Sequence, residues 1–383
     1  MAMHQSGSQP YARNDGYSAP RRKRKKKKNN TLLFSVLTLV LLGVGLLIFQ
    51  AVFNKQAATV EMTMTPISTD STYINTGDGL LYQTDGQIHF YHLTDSKKNY
   101  TYGMGASDIR MSGSEYMTVV FNTAQLQVVG EQTPLTFTGM ITEVECGKDY
   151  LAVLRTAEDG TEGLHIITRS GEQVDDLSYG DQCFVDFGFY KTTSEMLWIE
   201  TLNVNTGIPM TTISTYDLSK REVSGMIHVQ SQMVDKVYLT SNSIFVVATN
   251  QIIRYIFEGN KEIYRTTIYG YEVVDFSNAS GTPTFLLTTR GGDFHTVKIL
   301  TLKEDSAPAP VESTLQLPTE GVSAFIMANR LVVVSREQLF NYTLKGVLST
   351  TATFEQPVEE AVKLNDVKLL LSSNGMYYLA NSN

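Results

Sequence analysis

A repeat of about 41 residues constrains the fold of this chain more than any other feature. From Tyr73 onward, short runs of β-branched and aromatic residues alternate with Gly, Asn, Asp and Ser turns. Eight such units begin near Tyr73, Asp108, Ile141, Gln182, Gln232, Tyr271, Gly321 and Val358. A period of about 40 residues is typical of propeller blades. The sequence therefore predicts an all-β fold, a single β-propeller of about eight four-stranded blades, with seven blades as the alternative.

The second run of each unit is almost continuously apolar, as at residues 150–154, 244–248 and 331–334. Continuous apolarity indicates a strand that is buried on both faces, which is the environment of a second strand between neighbouring blades. The last unit ends after its third run. We predict that a strand from residues 59–64 completes this blade and closes the ring, because closure removes exposed sheet edges.

A second feature precedes the repeats, an uncharged and mostly apolar stretch at residues 31–53. A helix of this length would measure about 34 Å, enough to cross the hydrocarbon core of a membrane. The sequence therefore predicts an uncleaved transmembrane signal anchor, in preference to a cleaved signal peptide or a buried soluble helix.

Eight consecutive cations stand before this stretch: Arg21, Arg22, Lys23, Arg24, Lys25, Lys26, Lys27 and Lys28. Cations beside a first span stay on the cytoplasmic side and can contact anionic lipid. We therefore expect a single-pass protein of the cell membrane. Residues 1–30 would form a disordered polybasic cytoplasmic tail, residues 54–72 a spacer, and residues 73–383 the extracytoplasmic propeller.

Charge is distributed unevenly along the chain. The first 30 residues carry a net +8, whereas residues 54–383 carry 22 Lys/Arg and 38 Asp/Glu, a net −16. Nucleic-acid binding depends on neutralising phosphates, so this acidic domain disfavours a nucleic-acid partner. High net charge of one sign also favours solubility.

Four carboxylates occupy similar places in the predicted first strands of successive units: Glu145, Asp186, Asp235 and Asp275. First strands line the channel of a propeller, so these residues could bind a cation or a cationic ligand. The competing interpretation, which we favour, is a solvated or backbone-capping carboxylate repeated with the blade. We therefore predict no metal site and no cofactor, and keep the four residues as channel-lining candidates.

Motifs for catalysis are missing from the sequence. It contains no G-x-x-x-x-G-K, G-x-G-x-x-G, G-x-S-x-G or H-E-x-x-H. The only cysteines, Cys146 and Cys183, are too few for a disulfide scaffold. Small buried apolar side chains are the favoured interpretation of both, with a disulfide between them as the alternative. No catalytic residue is predicted.

A polybasic tail, one span and a blade-repeat domain together resemble an uncharacterised, membrane-anchored β-propeller family of Gram-positive bacteria. More distantly, the repeats resemble quinoprotein-like propellers and outer-membrane-assembly scaffold propellers. The chain lacks the repeated tryptophan motifs of quinoproteins and the Trp-Asp dipeptides of WD40 repeats, and Trp198 is its single tryptophan. The resemblance therefore implies no quinone cofactor.

We expect a non-catalytic, membrane-anchored scaffold that mediates protein–protein interaction in the cell envelope. A receptor domain that senses a ligand or glycan is the alternative, and a propeller hydrolase or lyase is a further one.

Overall fold

The computed structural model describes residues 58–382, with gaps at 104–107, 132, 192–194, 206, 258–260, 293, 303–309 and 318–320, together with residues 40, 43 and 44. The chain divides into two compact units, Met1–Gln56 and Ala57–Asn383. In the first unit Val40, Gly43 and Val44 are helical. The predicted tail and the rest of the predicted span at 31–53 lie outside the described residues. Within the described residues, no helix has the length and apolar character needed to cross a membrane.

The second unit consists of strands that form eight sheets. Two strands precede the first blade, β1 (Ala58–Val60) and β2 (Met62–Ser68). Blade 1 contains β3 (Tyr73–Asn75), β4 (Gly79–Thr84), β5 (Gln87–His92) and β6 (Tyr100–Tyr102), with a 3-10 helix at Ser96–Lys98. Blade 2 contains β7 (Arg110–Gly113), β8 (Thr118–Phe121), β9 (Gln125–Val128) and β10 (Leu135–Thr136). Blade 3 contains β11 (Met140–Cys146), β12 (Tyr150–Thr156), β13 (Glu162–Thr168) and β14 (Gln173–Leu177). Blade 4 contains β15 (Cys183–Lys191), β16 (Glu195–Asn203), β17 (Met210–Asp217) and β18 (Glu222–Gln230).

The remaining blades follow the same plan. Blade 5 contains β19 (Val234–Leu239), β20 (Ser243–Ala248), β21 (Gln251–Ile256) and β22 (Glu262–Thr267). Blade 6 contains β23 (Tyr271–Ser277), β24 (Thr284–Thr289), β25 (Thr296–Thr301) and β26 (Val311–Gln316). Blade 7 contains β27 (Ser323–Met327), β28 (Arg330–Val334), β29 (Gln338–Thr343) and β30 (Leu348–Phe354). Blade 8 contains β31 (Glu360–Lys363), β32 (Lys368–Ser373) and β33 (Met376–Asn381), and β2 completes it. The prediction of eight blades is confirmed, and the seven-blade alternative is wrong.

Eight hydrophobic clusters fill the spaces between successive blades, one for each interface. Second strands such as β20 are buried along their whole length, as their apolar sequences predict. The cluster between blades 8 and 1 joins Ile67 and Tyr377 to Leu80 and Tyr82, so the ring is closed by the same packing that joins the other blades.

Ring closure differs in detail from the prediction. The strand that pairs antiparallel with β33 is β2, whose bounds are Met62–Ser68 rather than 59–64. The pairing is irregular between Met64 and Ser68, where Pro66 has no N–H to donate. Continuing the strand beyond the proline buries Ile67 completely. Residues 58–60 instead form β1, which pairs in parallel with β30 and adds a fifth strand to the outer edge of blade 7.

First strands contact one another at the inner ends of the blades. The contacts join β3 to β7, β7 to β11, β11 to β15, β23 to β27, and β27 to β31. Side chains on these strands, and on the adjoining second strands, are therefore the ones that can meet near the centre of the ring.

Candidate functional site

The first strands of blades 3 to 6 each contain a β-bulge at the same place. One residue on each of these strands has no partner on the second strand: Thr142, Val185, Asp235 and Val274. A bulge adds one residue to one strand and re-aims the side chains around it. Residues of different blades are therefore structurally equivalent when they lie at the same distance from the bulge.

Register relative to the bulge corrects the predicted alignment of the four carboxylates. The residue that follows the bulge is Glu143 in blade 3, Asp186 in blade 4, Lys236 in blade 5 and Asp275 in blade 6. Glu145 lies two positions beyond this site, and Asp235 is itself the bulged residue. The prediction that Glu145 and Asp235 are equivalent to Asp186 and Asp275 is therefore wrong, because matching valines in the sequence did not reveal the extra residue.

Four carboxylates in blades 3 and 4 form a cluster that we call the acidic arc, and its members are Glu143, Glu145, Asp186 and Glu200. Glu143 and Glu145 are alternate residues of β11, so they lie on the same side of the strand. Asp186 on β15 is directly opposite Glu200 on β16. Glu200 occupies the position that is Leu154 in blade 3, so a carboxylate replaces an apolar side chain there.

Burial raises the pKa of every member of the arc, and neighbouring carboxylates raise it further for Glu143, Glu145 and Glu200. Burial, then the charges of Glu143 and Asp186, raise the pKa of Glu145 to about 7. Burial, then Asp186 and Asp235, raise the pKa of Glu200 to about 7. The pKa values of Glu143 and Asp186 are also raised, mainly by desolvation, although both residues are exposed. The charge of Asp186 therefore raises the pKa of each of the other three members.

No ion pair involves a member of the acidic arc among the described residues. Asp186 accepts a hydrogen bond from the backbone N–H of Phe187 at 2.8 Å. Glu200 is only 4% exposed. In the part of the chain that the structure describes, these carboxylates therefore differ from Asp235 and Asp275, which do form ion pairs.

The other two candidates, Asp235 and Asp275, are each paired with a cation. Asp275 lies 3.1 Å from the Nζ of Lys363 on blade 8 and accepts the backbone N–H of Ile326 on blade 7 at 2.6 Å. Burial raises the pKa of Asp275, and both of these partners oppose that rise. Asp235 lies 3.4 Å from Arg290. The structure thus brings Glu145 and Asp186 together and commits Asp235 and Asp275 to separate pairs.

Two cations near the channel are bonded to backbone rather than to carboxylates. Arg110 donates to the carbonyls of Ile141 and Thr142 on the next blade, and its guanidinium lies 4.7 Å from the ring centre of Phe121. Lys236 donates to the carbonyl of Val273 at 3.3 Å. Ile141 and Val273 both immediately precede a bulge. These cations therefore donate hydrogen bonds to backbone carbonyls beside the β-bulges. The bonds join the first strands of neighbouring blades.

A cavity of about 640 Å³ opens at the first strands of blades 1 to 3. Arg110, Glu143 and Glu145 line it, together with apolar side chains such as Ile74 and Phe121. No group of three or more His, Cys, Asp or Glu residues is placed to hold a metal ion within the described residues. The arrangement is suited to a charged organic ligand rather than to a single metal ion.

Sequence reasoning missed Glu143, Glu200 and Lys363. A detectable signal existed for Glu200, because this charged residue directly follows the apolar run at residues 196–199. The sequence contained no such signal for Lys363, because its partner Asp275 is 88 residues away.

Cys146 and Cys183 are both free; Cys146 is buried, as predicted, but Cys183 is exposed.

A second polar group lies away from the channel, on the outer strands of blade 3. The Nδ1 of buried His165 lies 3.2 Å from Asp176, and its Nε2 accepts a hydrogen bond from Arg155. Desolvation lowers the pKa of His165; Arg155 lowers it further and Asp176 opposes the change. Both ring nitrogens are engaged, so the imidazole is held neutral. This network therefore has a structural role.

Comparisons with known proteins identify the fold. BamB from Moraxella catarrhalis is 9% identical, with a TM-score of 0.51 over 84% of this chain and 100% of that chain. The C-terminal WD40 domain of Sif2 is 10% identical, with a TM-score of 0.54 over 85% of this chain and 99% of that one. The WD40 domain of SCAP from fission yeast is 7% identical, with a TM-score of 0.54 over 84% and 98% of the two chains.

No family model matches the chain, and no curated protein sequence matches it. At identities of 10% or less, the similarity to these structures establishes the β-propeller fold alone.

Proposed function

We propose that this chain is a non-catalytic scaffold of the cell envelope, anchored by residues 31–53 and bearing an extracytoplasmic propeller that binds partner proteins. The sequence supports the anchor through its uncharged stretch and the cations before it. The structure supports protein binding through one observation, the long outer strand of blade 4.

That outer strand, β18, has nine residues, whereas β6, β10, β14, β22 and β26 have two to six. Among the described residues β18 pairs only with β17. Val223 and Met226 expose large apolar side chains on it. An exposed sheet edge is a template for an extended peptide, whose backbone bonds supply affinity and whose side chains supply specificity.

Blade 7 provides a precedent within the same molecule. Its outer strand β30 accepts β1 as a fifth, parallel strand, with Ala58, Thr59 and Val60 in register with residues 352–354. An outer edge of this propeller therefore accommodates strand addition without disturbing the blade. We propose that an extended segment of a partner protein pairs with β18 in the same way.

The edge can be tested by proximity labelling in the native cell, with the labelling enzyme fused after Asn383. Lysines on an edge strand oppose strand addition, so the double variant Val223→Lys, Met226→Lys should lose the recurrently labelled partner. The matched control is Val311→Lys on β26, where the side chain is also exposed. Labelling that is unchanged by the double variant, or lost equally in the control, would reject this surface.

Topology can be tested separately with the native cysteines. Cys183 is exposed and Cys146 is buried, so a membrane-impermeant maleimide should label intact cells at Cys183 alone. Cys183→Ser should abolish that labelling. Labelling that requires permeabilised cells would place the propeller inside and contradict the proposed orientation.

A further inference from the structure

A cavity of about 250 Å³, which we call the aromatic cavity, lies where the first strands of blades 1 to 4 end. Three aromatic side chains line it: Tyr116 from blade 2, and the consecutive residues Phe189 and Tyr190 near the end of β15. The ring centre of Tyr190 lies 5.6 Å from that of Phe257, which extends the aromatic wall to blade 5. The four residues of the acidic arc are not among the lining residues of this cavity.

Two carboxylates also line the aromatic cavity, Glu115 and Glu195. Glu195 accepts hydrogen bonds from the backbone N–H groups of Lys148 at 2.5 Å and Asp149 at 3.1 Å, so the turn of blade 3 fixes its position. The phenol of Tyr116 is hydrogen-bonded to Glu115, and this bond, together with the charge of Glu195, raises the pKa of Tyr116. The phenol therefore lies near both carboxylates.

Gly147 allows the close approach of Glu195 because it has no side chain. A Cβ atom at this position would overlap the Oε1 of Glu195 and would lie 2.8 Å from the Cγ of Phe189. Any other residue would therefore displace the carboxylate and the ring together. The backbone of blade 3 thus holds a negative charge and an aromatic ring side by side in the cavity wall.

Hydrogen-bond donors in the wall of the aromatic cavity are bonded within the protein. The hydroxyl of Ser114 donates to the carbonyl of Gly147 at 3.1 Å, and the hydroxyl of Thr76 donates to Asp78 at 2.9 Å. The ammonium of Lys148 lies 4.0 Å from the carboxylate of the next residue, and its side chain is half-exposed. Ring faces and carboxylate oxygens therefore remain for a ligand, and both attract positive charge.

A quaternary ammonium ion matches these properties. Its charge is attracted by aromatic faces and carboxylates, and it has no N–H that requires an aligned acceptor. A sugar is matched less well, because its hydroxyl groups both donate and accept hydrogen bonds. A calcium ion requires six to eight oxygens at about 2.3–2.6 Å, whereas three of the lining side chains are aromatic.

We propose that the aromatic cavity binds a small quaternary ammonium ligand, with the cation against the rings of Tyr116, Phe189 and Tyr190 and its charge balanced by Glu115 and Glu195. A free choline-type metabolite and a choline headgroup share this chemistry. The binding activity goes beyond the scaffold function and does not depend on it, because the aromatic cavity and the outer strand of blade 4 are different surfaces.

Isothermal titration calorimetry of the full chain in a maltoside detergent, with choline chloride as the probe, tests this proposal. We expect saturable binding of choline, and binding about tenfold weaker or less for 3,3-dimethylbutan-1-ol, which has the shape of choline without its charge. Phosphocholine is the second probe and distinguishes the two sources of the ligand. Tighter binding of phosphocholine than of choline would support a headgroup, and the reverse order would support a free metabolite.

Two variants test the ring and the charge separately. Tyr116→Leu removes an aromatic face, and Glu195→Gln removes the negative charge while its amide oxygen still accepts the backbone N–H groups. Each should weaken choline binding about five- to tenfold. The matched controls are Tyr269→Leu, at an exposed tyrosine between blades 5 and 6, and Glu158→Gln, at an exposed residue of blade 3. Both controls should leave the affinity for choline unchanged.

Several results would overturn the proposal. These are an absence of choline binding up to about 10 mM, equal affinity for choline and its neutral analogue, and equal affinity in the cavity variants and their controls. Binding of acetate in place of choline would also overturn it, because the Lys148 ammonium would then be the binding group. Melting curves that match the wild-type protein would establish that the variants are folded. If Glu195→Gln is unstable, Tyr116→Leu still decides the outcome, since Tyr116 is an exposed turn residue.

Discussion

The Nζ of Lys363 on blade 8 lies 3.1 Å from the Oδ2 of Asp275 on blade 6, although blade 7 stands between them in the ring. The two side chains meet at Ile326 of blade 7, whose N–H donates to Asp275 at 2.6 Å and whose carbonyl accepts from Lys363 at 2.7 Å. Three blades are therefore joined through one pair of charges and one backbone residue.

Removing this lysine should destabilise the protein. Lys363→Met leaves Asp275 largely buried without its cation, and we expect a loss of roughly 2–3 kcal/mol in the free energy of unfolding. Chemical denaturation of the full chain in detergent measures it. Lys148→Met is the control, since both side chains of the Lys148–Asp149 pair are exposed, and it should cost less than about 1 kcal/mol. Equal losses of stability in the two variants would contradict the conclusion that burial makes the Lys363–Asp275 pair the more important one for stability.

Neutralising Glu200 should stabilise the protein at alkaline pH. Its pKa is about 7 in the folded chain, above its ordinary value of 4.5, so the folded state binds more protons than the unfolded state between these values. Wild-type stability that depends on Glu200 is therefore lost as the pH rises through this window. We expect Glu200→Gln to be more stable than the wild type by about 2 kcal/mol at pH 8 and by little at pH 4.5. An advantage that does not change with pH would argue against ionisation as its cause.

His165 should produce the opposite pH dependence. Its pKa is lowered in the folded state, where it accepts a hydrogen bond from Arg155, so the unfolded state binds more protons below about pH 6.5. Stability contributed by His165 is therefore present above this pH and lost on acidification, by at most about 1.4 kcal/mol per pH unit. The difference in unfolding free energy between His165→Gln and the wild type should shrink from pH 7.5 to pH 5. Parallel stability curves for the two proteins would contradict this assignment.

Ring closure should depend on one face of β2. Ile67 is fully buried between blades 8 and 1, whereas Met64 on the same strand is 57% exposed. Ile67→Ala should cost about 2–4 kcal/mol through lost burial and the cavity left behind. Met64→Ala should change stability by no more than about 0.5 kcal/mol. Thermal unfolding of the two variants measures the contrast, and similar melting temperatures would mean that β2 does not close the ring by packing.

The sequence alone determined the repeat and the all-β class, because each blade buries its second strand on both faces and therefore needs a continuous apolar run. It favoured eight blades over seven, and the structure decided the number. It also predicted that the N-terminal segment completes the last blade, since an incomplete unit leaves an edge to be paired.

What only the tertiary structure decided is the identity of the site. A β-bulge inserts one residue without changing the alternation of residue types enough to be recognised, so the equivalence of Glu143 to Asp186 and Asp275 was hidden. Contacts between blades join residues far apart in the sequence, such as Asp275 and Lys363, and local patterns contain no information about them. Which carboxylates are neutralised and which remain in the acidic arc depends on these contacts, because electrostatic pairing follows distance in space.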